Sequence, residues 1–216
     1  MKKYPGIIFV LLLSAGILSS CKKDSDSSSK KITESIKDKS WSGTIIYTGK
    51  PTEYYSVHFN ADNTLEWAQI SGKYTGHWVL NGTALTLTFD ANTVEVKANI
   101  SGDNRLTNIT DNTSVYEITS GGLVAKPDIS LENTVWKGTR TNTIAGTMLA
   151  YQMNFMTGNK VEIRIGNVLD GVYSYTREAA GAAFRTGKGI FGTIISDGEM
   201  MGSDVNAAIP WEAIKQ

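Results

Sequence analysis

The sequence predicts an all-β protein: two repeated antiparallel meander β-barrels or sandwiches that follow a signal peptide and a disordered tether. Three observations predict this class. A tryptophan–glycine segment recurs at a separation of 95 residues. Within each copy, apolar and polar residues alternate, and turn residues interrupt the alternation about every ten positions. Short strands patterned in this way either close into a barrel, which removes exposed edges, or fold over as a sandwich.

The repeat begins where SIKDKSWSGT (35–44) aligns with SLENTVWKGT (130–139). The separation then becomes 96 and later returns to 95, so the second copy gains one residue in an early loop and loses one in a later loop. Rare aromatic residues stay in register over about 80 residues, and we interpret this as a duplication. The matched positions are Tyr55/Tyr151, Phe59/Phe155, Asn63/Asn159, Glu66/Glu162, Gly76/Gly171, Trp78/Tyr173, Phe89/Phe184 and Tyr116-Glu117/Trp211-Glu212.

Each copy is predicted to contain about eight short strands, in a meander typical of up-and-down barrels. Segments such as TGKP, ADN, SGK and SGDN supply the residues that tight turns require. Asn81-Gly82 is the strongest hairpin signal, because a primed two-residue turn requires positive φ. The predicted strands of the first copy are 41–48, 53–60, 64–71, 75–80, 83–89, 93–100, 105–110 and 114–119.

Alternation along the strands predicts which side chains face the interior. In the second strand Tyr55, Val57 and Phe59 share one face, and His58 lies on the other. If the aromatic side chains fill the interior and leave a cavity below about 300 Å³, a small-molecule ligand is disfavoured. The inward aromatic residues of the first copy are Trp41, Tyr55, Phe59, Trp67, Trp78 and Phe89.

The chain therefore divides into five predicted regions. A linker is expected where Gly121-Gly122 and Pro127 interrupt strand pairing. Whether the two copies form separate barrels or one shared barrel stays open. The regions are a signal peptide (1–20), a lipidated flexible tether (21–34), the first β-domain (35–119), the linker (120–129) and the second β-domain (130–216).

The first residues resemble the export signal of bacterial lipoproteins. A basic start is followed by an uncharged apolar run of 13 residues, shorter than the roughly 20 that span a membrane. Leu18-Ser19-Ser20-Cys21 matches the lipobox. The resemblance implies diacylglycerol on the Cys21 sulfur and cleavage before Cys21. The alternative is an ordinary signal peptide with a chance cysteine.

The resemblance also implies a location and a membrane partner. Acyl chains on Cys21 hold the chain at a membrane of the cell envelope, here expected to be the outer membrane. The start KKDSDSSSKK (22–31) has little to bury and is expected to be disordered. Lys22-Lys23-Asp24 partly resembles the corresponding segment of Bacteroidota lipoproteins, so the choice between a periplasmic and a surface-facing leaflet stays open.

Charge and cysteine content exclude two further classes. Removal of residues 1–20 takes away Lys2 and Lys3, which leaves 19 basic against 21 acidic residues. This balance argues against a nucleic-acid partner, which requires a basic surface. Cys21 is the only cysteine, so no disulfide framework exists and a packed core must stabilise the fold.

Each copy resembles the lipocalin-like β-barrel domains of bacterial envelope lipoproteins. The features shared are an early tryptophan with glycine, the FNADNT hairpin of the first copy, and a strand with glycine and an aromatic residue. Lipocalins have Gly-x-Trp on the first strand, whereas this chain has Trp41-Ser-Gly43 and Trp136-Lys-Gly138. The resemblance implies ligand binding in or at the mouth of the barrel, not catalysis.

Candidate catalytic and metal-binding residues are few, and we expect no catalytic residue, no metal and no cofactor. His58 and His77 are both expected on the outer face, where a surface metal is the alternative to solvated positions. The segments 62–64 and 101–104 hint at calcium loops but lack the spaced oxygen ligands of such a site, so we interpret them as turns. No GxSxG motif occurs.

Three other features have a functional and a structural interpretation. Paired acids for glycoside hydrolysis must flank one cleft, whereas Glu66/Glu162 and Glu117/Glu212 are each divided between the copies and are expected to pair with lysine or arginine. GAAFRTGKG (181–189) departs from a phosphate-binding loop in spacing and lacks the final Ser/Thr. Its small residues instead suggest close approach of strands. Met200-Met201 suggests packing or a contact patch.

The sequence favours a non-catalytic, lipid-anchored binding protein whose ligand is a small molecule, a glycan or a partner protein. The alternative is a structural or inhibitory lipoprotein that acts through surface contacts with an envelope protein. A hydrolase is a more distant third. The ligand-binding residues are unknown at this stage, and lipid attachment at Cys21 is the one site the sequence predicts.

Overall fold

The computed structural model describes residues 36–47, 51–102, 105–113, 116–119, 123–125, 129–142, 144–204 and 209–216. The predicted signal peptide, Cys21 and the tether lie outside these residues. The all-β prediction is confirmed, since the described residues form seventeen strands and two barrel-like domains rather than one shared barrel. Among the described helical segments, none is long and apolar enough to cross a membrane.

The first domain is a curled antiparallel sheet in the order β7-β6-β5-β4-β3-β2-β1-β8. All eight strands predicted for this copy are present, and Gly82 has the positive φ (63°) expected at the β4–β5 hairpin. A short ninth strand lies within the predicted linker and pairs with the start of β1. The strands are β1 (Lys39–Tyr47), β2 (Glu53–Phe59), β3 (Thr64–Gln69), β4 (Gly72–Asn81), β5 (Ala84–Phe89), β6 (Glu95–Ile100), β7 (Leu106–Asp111), β8 (Tyr116–Thr119) and β9 (Leu123–Ala125).

The second domain is a closed antiparallel barrel that repeats this meander, with a 3₁₀ turn (Ala179–Gly181) after its fourth strand. Its last two strands pair with each other and complete the closure, whereas the corresponding β7 and β8 are the edges of the first sheet. The strands are β10 (Thr134–Thr141), β11 (Met148–Met156), β12 (Lys160–Ile165), β13 (Val168–Glu178), β14 (Ala183–Thr186), β15 (Ile190–Ser196), β16 (Glu199–Asp204) and β17 (Pro210–Lys215).

Strand register supports the repeat. Trp41 pairs with Val57 in the first domain, and Trp136 pairs with Met153 in the second. The two tryptophans are 95 residues apart in the sequence, and their strand partners are 96 residues apart, as in the repeat alignment. Gly138 in turn pairs with Tyr151.

Three of the aromatic matches are wrong, through two errors of register. Trp78 donates its backbone N–H to Asn63, and it is Tyr175, not Tyr173, that makes the same bond to Asn159. An irregularity in the β12–β13 pairing shifts this register. The same shift sets Tyr173, not Gly171, against Gly76, and it sets Phe184 against Leu85, not Phe89.

The second error concerns the last strand of each domain. Ile45 pairs with Ile118 and Arg140 pairs with Trp211. Because Arg140 lies 95 residues after Ile45, the counterpart of Trp211 is Ile118 rather than Tyr116.

Aromatic side chains fill the interior of the first domain. Trp41, Tyr55 and Phe59 are fully buried, and Trp67 and Trp78 are at most 5% exposed, whereas Phe89 is partly buried. Tyr55 stacks on Trp67 at 4.3 Å between ring centroids, and Trp41 meets Phe59 edge to face at 4.9 Å. Such pairs add about 0.5–1.5 kcal/mol each to the burial of apolar area.

The second interior is filled in the same way, and its residues come from all parts of the barrel. Phe155 contacts Tyr175 and Phe184 edge to face, with ring centroids 5.1 and 5.2 Å apart. The buried core consists of Leu131, Trp136, Tyr151, Met153, Phe155, Val161, Ile163, Tyr175, Phe184, Ile190, Ile194, Met200, Trp211 and Ala213. Both domains therefore use their interiors as hydrophobic cores.

The outward faces of β1 and β2 pack against the second domain. Ser42, Ser56 and His58 are at most 1% exposed, and Ser42 Oγ donates across the interface to the carbonyl of Ile194 at 3.3 Å. His58 Nδ1 lies 2.9 Å from Ser40 Oγ. The predicted outward direction of His58 is confirmed, but its predicted solvated position is wrong, because the second domain covers this face.

Arg185 connects the two domains through backbone carbonyls of the first. Its guanidinium donates to Ile70 O at 2.7 Å and Gln69 O at 2.6 Å, and to Glu178 Oε1 at 3.1 Å. Small residues allow the sheets to approach closely here, which explains the alanines of the GAAFRTGKG segment. The apolar interface consists of Ala68, Ile70, Ala179, Ala182, Ala183 and Phe191, with Tyr54 beside it.

The glycine that follows Trp136 explains the recurrent tryptophan–glycine segment. A Cβ on Gly138 would lie 1.8 Å from the carbonyl oxygen of Glu212. Only glycine permits β10 and β17 to approach closely and close the barrel.

We therefore expect Gly138→Ala to lower the free energy of unfolding by about 1–3 kcal/mol or more, because the added carbon clashes with backbone. Urea denaturation of the soluble mature chain measures this. Gly198→Ala is the control, since a Cβ there meets nothing within 4 Å and the change should stay within about 0.5 kcal/mol. Equal stabilities of the two variants would contradict this explanation of the glycine.

A second prediction concerns the interface. The Glu178 side chain is only 2% exposed, so Arg185→Ala leaves a buried carboxylate whose other cation, Lys73, is 3.7 Å away. We expect a loss of about 3–5 kcal/mol in urea denaturation.

Arg164→Ala is the matched control, because its ion pair with Glu162 is more exposed (41% and 23%) and should contribute less than about 1 kcal/mol. If Arg185→Ala loses no more than the roughly 1 kcal/mol expected of Arg164→Ala, the Arg185 contacts do not stabilise the protein as proposed.

Candidate functional site

The candidate site is the mouth of the second barrel, defined here by Arg140, Tyr151, Asp204 and Trp211. These residues lie near the ends of β10, β11, β16 and β17. Arg140 follows Trp136 and Gly138 on the inward face of β10, since side chains on one face recur every second residue. The mouth is thus the part of the barrel interior where charged groups replace the apolar core.

An ion pair lies beside two buried aromatic residues in the mouth. Arg140 donates from Nη2 to Asp204 Oδ2, and the two side chains are 14% and 17% exposed. Tyr151 and Trp211 are 1% and 2% exposed, with ring centroids 5.4 Å apart and an interplanar angle of 41°. The charges of Arg140 and Asp204 act on the Tyr151 hydroxyl, and Trp211 is the strand partner of Arg140, so the four residues form one cluster.

Four buried polar atoms in the mouth have no hydrogen-bond partner among the described residues: Arg140 Nε, Tyr151 OH, Asp204 Oδ1 and Trp211 Nε1. A buried polar atom without a partner costs about 1–3 kcal/mol, so such atoms are rare in native proteins. Four such atoms lie at one end of one barrel, and this makes the mouth the candidate site.

Other tryptophans of the chain show the usual arrangement. The indole N–H of Trp67 donates to Gln69 Oε1 at 2.8 Å, that of Trp78 to the Asn60 carbonyl at 3.2 Å, and that of Trp136 to Thr134 Oγ1 at 2.9 Å. Trp211 departs from this arrangement within the described structure.

A second ion pair lies at the rim. Lys188 donates to Asp170 Oδ2 and lies 5.4 Å from the centroid of the Tyr173 ring, while the Tyr173 hydroxyl donates to Asp170 Oδ2 at 3.0 Å. Partial burial alone would lower the pKa of Lys188, but the hydrogen bond and charge of Asp170 raise it overall. Lys188 therefore stays cationic.

Charges in the mouth and at the rim both act on the hydroxyl of Tyr151. Burial raises the pKa of Tyr151 well above its usual range, and the charge of Asp204 raises it further. Arg140 acts in the opposite direction, and Asp170 contributes a smaller rise. Tyr151 therefore remains a neutral hydroxyl, which can both donate and accept a hydrogen bond.

The first domain provides an internal comparison for this site. At the register positions of Arg140 and Trp211 it has Ile45 and Ile118, and Ile45 is 3% exposed. The two domains share strand order and register here, so Arg140 and Trp211 are not required by the barrel-like fold. The presence of these two residues in only one copy makes the second mouth the candidate site.

A shallow groove lies outside the barrel wall, near the mouth, where Tyr54 of the first domain faces the second. Its volume is about 180 Å³, below the roughly 300 Å³ of small-molecule pockets. Burial and the charge of Glu212 raise the pKa of Tyr54. The other lining residues are Thr139, Thr141, Met148, Met201, Pro210, Trp211 and Glu212.

The structure does not bring the predicted histidine and acid candidates together. His77 is outward and exposed, 3.6 Å from Asp90. Glu162 pairs with Arg164 at 2.8 Å, as predicted, whereas Glu66 accepts a bond from the backbone of Ala180 at 3.3 Å. Glu212 accepts a bond from Thr139 at 3.3 Å, and the Glu117 side chain lies outside the described part.

The remaining candidates have structural roles. Asp62 Oδ1 accepts bonds from the Thr64 backbone and hydroxyl at 3.0 and 2.6 Å, as in a turn. In the segment 101–104, Asp103 and Asn104 lie outside the described residues. Met200 belongs to the core and Met201 lines the groove, and both lie in β16.

None of the four mouth residues was predicted from the sequence to belong to a binding site. One signal was available, because the repeat alignment sets Arg140 against Ile45 and alternation from Trp136 directs Arg140 inward. A charged residue at an inward position is a known mark of a functional site. Among the described residues, no group of three or more His, Cys, Asp or Glu is placed to hold a metal ion.

Comparisons with known proteins add no relative. No protein-family model matches the chain, and no curated protein and no solved structure matches it either.

The unpartnered hydroxyl of Tyr151 generates a prediction about stability. At pH 7, Tyr151→Phe should leave the free energy of unfolding unchanged or raise it by up to about 1 kcal/mol, because no hydrogen bond is lost. Tyr173→Phe is the matched control: its hydroxyl donates to Asp170, so it should lose about 1 kcal/mol. Urea denaturation measures both.

The same substitution has a pH signature. The native pKa of Tyr151 is raised, whereas in the unfolded chain it is about 10. Stability from Tyr151 is therefore complete below pH 10 and is lost above it, at up to about 1.4 kcal/mol per pH unit. Between pH 10 and 11.5, the free energy of unfolding of Tyr151→Phe should decline less steeply than that of the wild type. Identical slopes would contradict the burial of a neutral hydroxyl.

Proposed function

We propose that the protein is a non-catalytic binding protein of the cell envelope, anchored at the outer membrane by acyl chains on Cys21, which binds its ligand at the mouth of the second barrel. The observation that carries this proposal is the group of four unpartnered polar atoms on Arg140, Tyr151, Asp204 and Trp211. A ligand that bonds these atoms recovers the free energy that their burial costs.

The filled interiors support a site at the mouth rather than inside the barrels. Side chains of the two cores occupy the interior volume, and the groove of about 180 Å³ lies on the outer wall. A ligand that needs a deep pocket of 300 Å³ or more does not suit this arrangement. The end of a larger molecule does, because only its terminal group must reach the buried atoms.

Binding is favoured over catalysis by the placement of the titratable groups. Both histidines belong to the first domain, and His58 is buried in the interface. Within the mouth, Asp204 is paired with Arg140, and at the rim Asp170 is paired with Lys188. This arrangement holds a ligand through fixed charges and hydrogen bonds and supplies no histidine as a proton acceptor.

A second candidate function is a structural or inhibitory role through contact with an envelope protein. Exposed apolar side chains at the same end of the barrel favour it. Five of them are more than half exposed, and clusters of exposed apolar side chains are typical of protein contacts. They are Ile144 (97%), Met148 (57%), Val168 (70%), Leu169 (52%) and Val172 (51%).

One experiment separates the two candidates. The soluble mature chain, residues 22–216, is immobilised and incubated with envelope extract, and the retained material is compared between variants. Arg140→Ile introduces into the second mouth the residue that the first domain has at this position. Val168→Ser changes the apolar rim without changing the mouth, and Lys97→Ala on the first domain is the control.

We expect Arg140→Ile to lose the retained component at least tenfold, while Val168→Ser and Lys97→Ala retain it. Loss with Val168→Ser alone would favour the partner-protein role. Equal retention by Arg140→Ile and wild type would contradict binding at the mouth. The anchor is tested separately: the full chain should incorporate a labelled fatty acid when expressed in a lipoprotein-processing bacterium, and Cys21→Ser should abolish the label.

A further inference from the structure

We propose that the group bound in the mouth is a neutral, polyhydroxylated one, such as a terminal sugar residue. This inference rests on the proposed function, since it names the ligand class of the same site. Three properties of the mouth lead to it: the balance of its charges, the mixture of its free donors and acceptors, and the apolar surface of its rim.

The charges of the mouth and rim cancel. Arg140 pairs with Asp204, and Lys188 pairs with Asp170. An anionic ligand would meet two carboxylates, and a cationic ligand would meet an arginine and a lysine. Because a buried charge without a compensating partner is strongly unfavourable, a ligand without net charge suits this site best.

The free atoms include both donors and acceptors. Arg140 Nε and Trp211 Nε1 donate only, Asp204 Oδ1 accepts only, and the Tyr151 hydroxyl does both. Neighbouring hydroxyl groups of a sugar also donate and accept, so their chemistry matches that of the four atoms. A fatty acyl chain would satisfy none of them, and a simple carbonyl would leave Asp204 Oδ1 unpaired.

The ion pair keeps polar atoms available for such hydroxyl groups. Arg140 uses Nη2 and Asp204 uses Oδ2 for their mutual bond, which leaves one free polar atom on each partner. A hydroxyl can accept from Arg140 Nε and donate to Asp204 Oδ1, and because both atoms are buried, the two side chains must move to admit it. Charge-assisted hydrogen bonds of this kind are about twice as strong as neutral ones.

The rim completes a surface for the remainder of the ring. The C–H groups of a sugar are apolar, and exposed apolar side chains, including Met148, Val168 and Leu169, lie at this end of the barrel. Two aromatic residues lie beside the ion pair, and both Tyr151 and Trp211 are almost fully buried. The mouth therefore combines polar contacts at its centre with apolar contacts around them, as small-ligand sites do.

The test uses the soluble mature chain, residues 22–216, and a panel of probes. Neutral probes are glucose, galactose, mannose, N-acetylglucosamine and their methyl glycosides. Glucuronate is the anionic sugar probe, glucosamine the cationic sugar probe, and laurate the lipid-like probe, an acyl chain with a carboxylate. Binding is measured by calorimetry at probe concentrations up to about 50 mM. Tyr151→Phe and Asp204→Asn test the mouth, with Tyr55→Phe and Asp90→Asn in the first domain as matched controls.

We expect at least one neutral sugar to bind, and its affinity to exceed that of glucuronate, glucosamine and laurate at least tenfold. Tyr151→Phe and Asp204→Asn should each weaken it at least tenfold, while the controls stay within twofold. Tyr151→Phe keeps the test informative even if Asp204→Asn folds poorly, because it removes a hydroxyl that has no partner among the described residues.

Three outcomes overturn the inference. Tighter binding of a charged probe or of laurate, if lost with Tyr151→Phe, would refute the neutral-sugar class and leave the mouth as the binding site. Sugar binding unaffected by both mouth variants would place the sugar elsewhere. If no probe binds, the ligand class is wrong, and the extract experiment with Arg140→Ile then shows independently whether the mouth binds at all.

Discussion

The interiors of the two barrel-like domains are occupied by their own hydrophobic cores, and the rest of the structure depends on this constraint. A domain of this size without disulfides must bury a continuous apolar core, and a single antiparallel meander has only its inner face for that purpose. Trp41, Phe59 and Trp78 in the first domain, and Trp136 and Phe155 in the second, occupy that space. Any ligand must therefore meet the protein at a mouth or on an outer wall.

The two copies keep the same core positions and differ at the mouth. Both copies have the tryptophan and glycine near the start of the first strand. Both tryptophans are fully buried, and in the second copy close strand approach requires the glycine. At the mouth the two copies differ. The first copy has Ile45 and Ile118 at the register positions where the second has Arg140 and Trp211. The closed barrel keeps its core while its mouth carries the polar groups.

The interface between the domains explains a further difference between them. Outward positions of β1 and β2 carry Ser42, Ser56 and His58, small or polar residues that look solvated in sequence but are buried against the second domain. Arg185 donates to main-chain carbonyls of the first domain, so the contact is made with backbone as well as with side chains. Because these contacts bring Tyr54 beside Glu212, the outer wall near the mouth is shaped by both copies.

Sequence patterns predicted local features well and contacts between distant elements poorly. Strand positions follow from alternation and turn residues, which act within a few residues, and the eight strands of the first copy were predicted from them. The counterpart of Trp78 was assigned to Tyr173 instead of Tyr175, because a pairing irregularity between β12 and β13 leaves no mark in the spacing. The burial of His58 depends on a domain more than 100 residues away, and the mouth depends on four strand ends that closure brings together.

The central claim is that the mouth of the second barrel is the binding site, and the indole N–H signals of the tryptophans test it most directly. The chain has five tryptophans, so a ¹⁵N-labelled soluble mature chain should give five indole cross-peaks, with that of Trp211 identified by its loss in Trp211→Phe. On addition of the tightest-binding neutral sugar, we expect a large shift of the Trp211 peak and little change in those of Trp41, Trp67 and Trp78. Shifts confined to the first-domain peaks, with Trp211 unmoved, would contradict it.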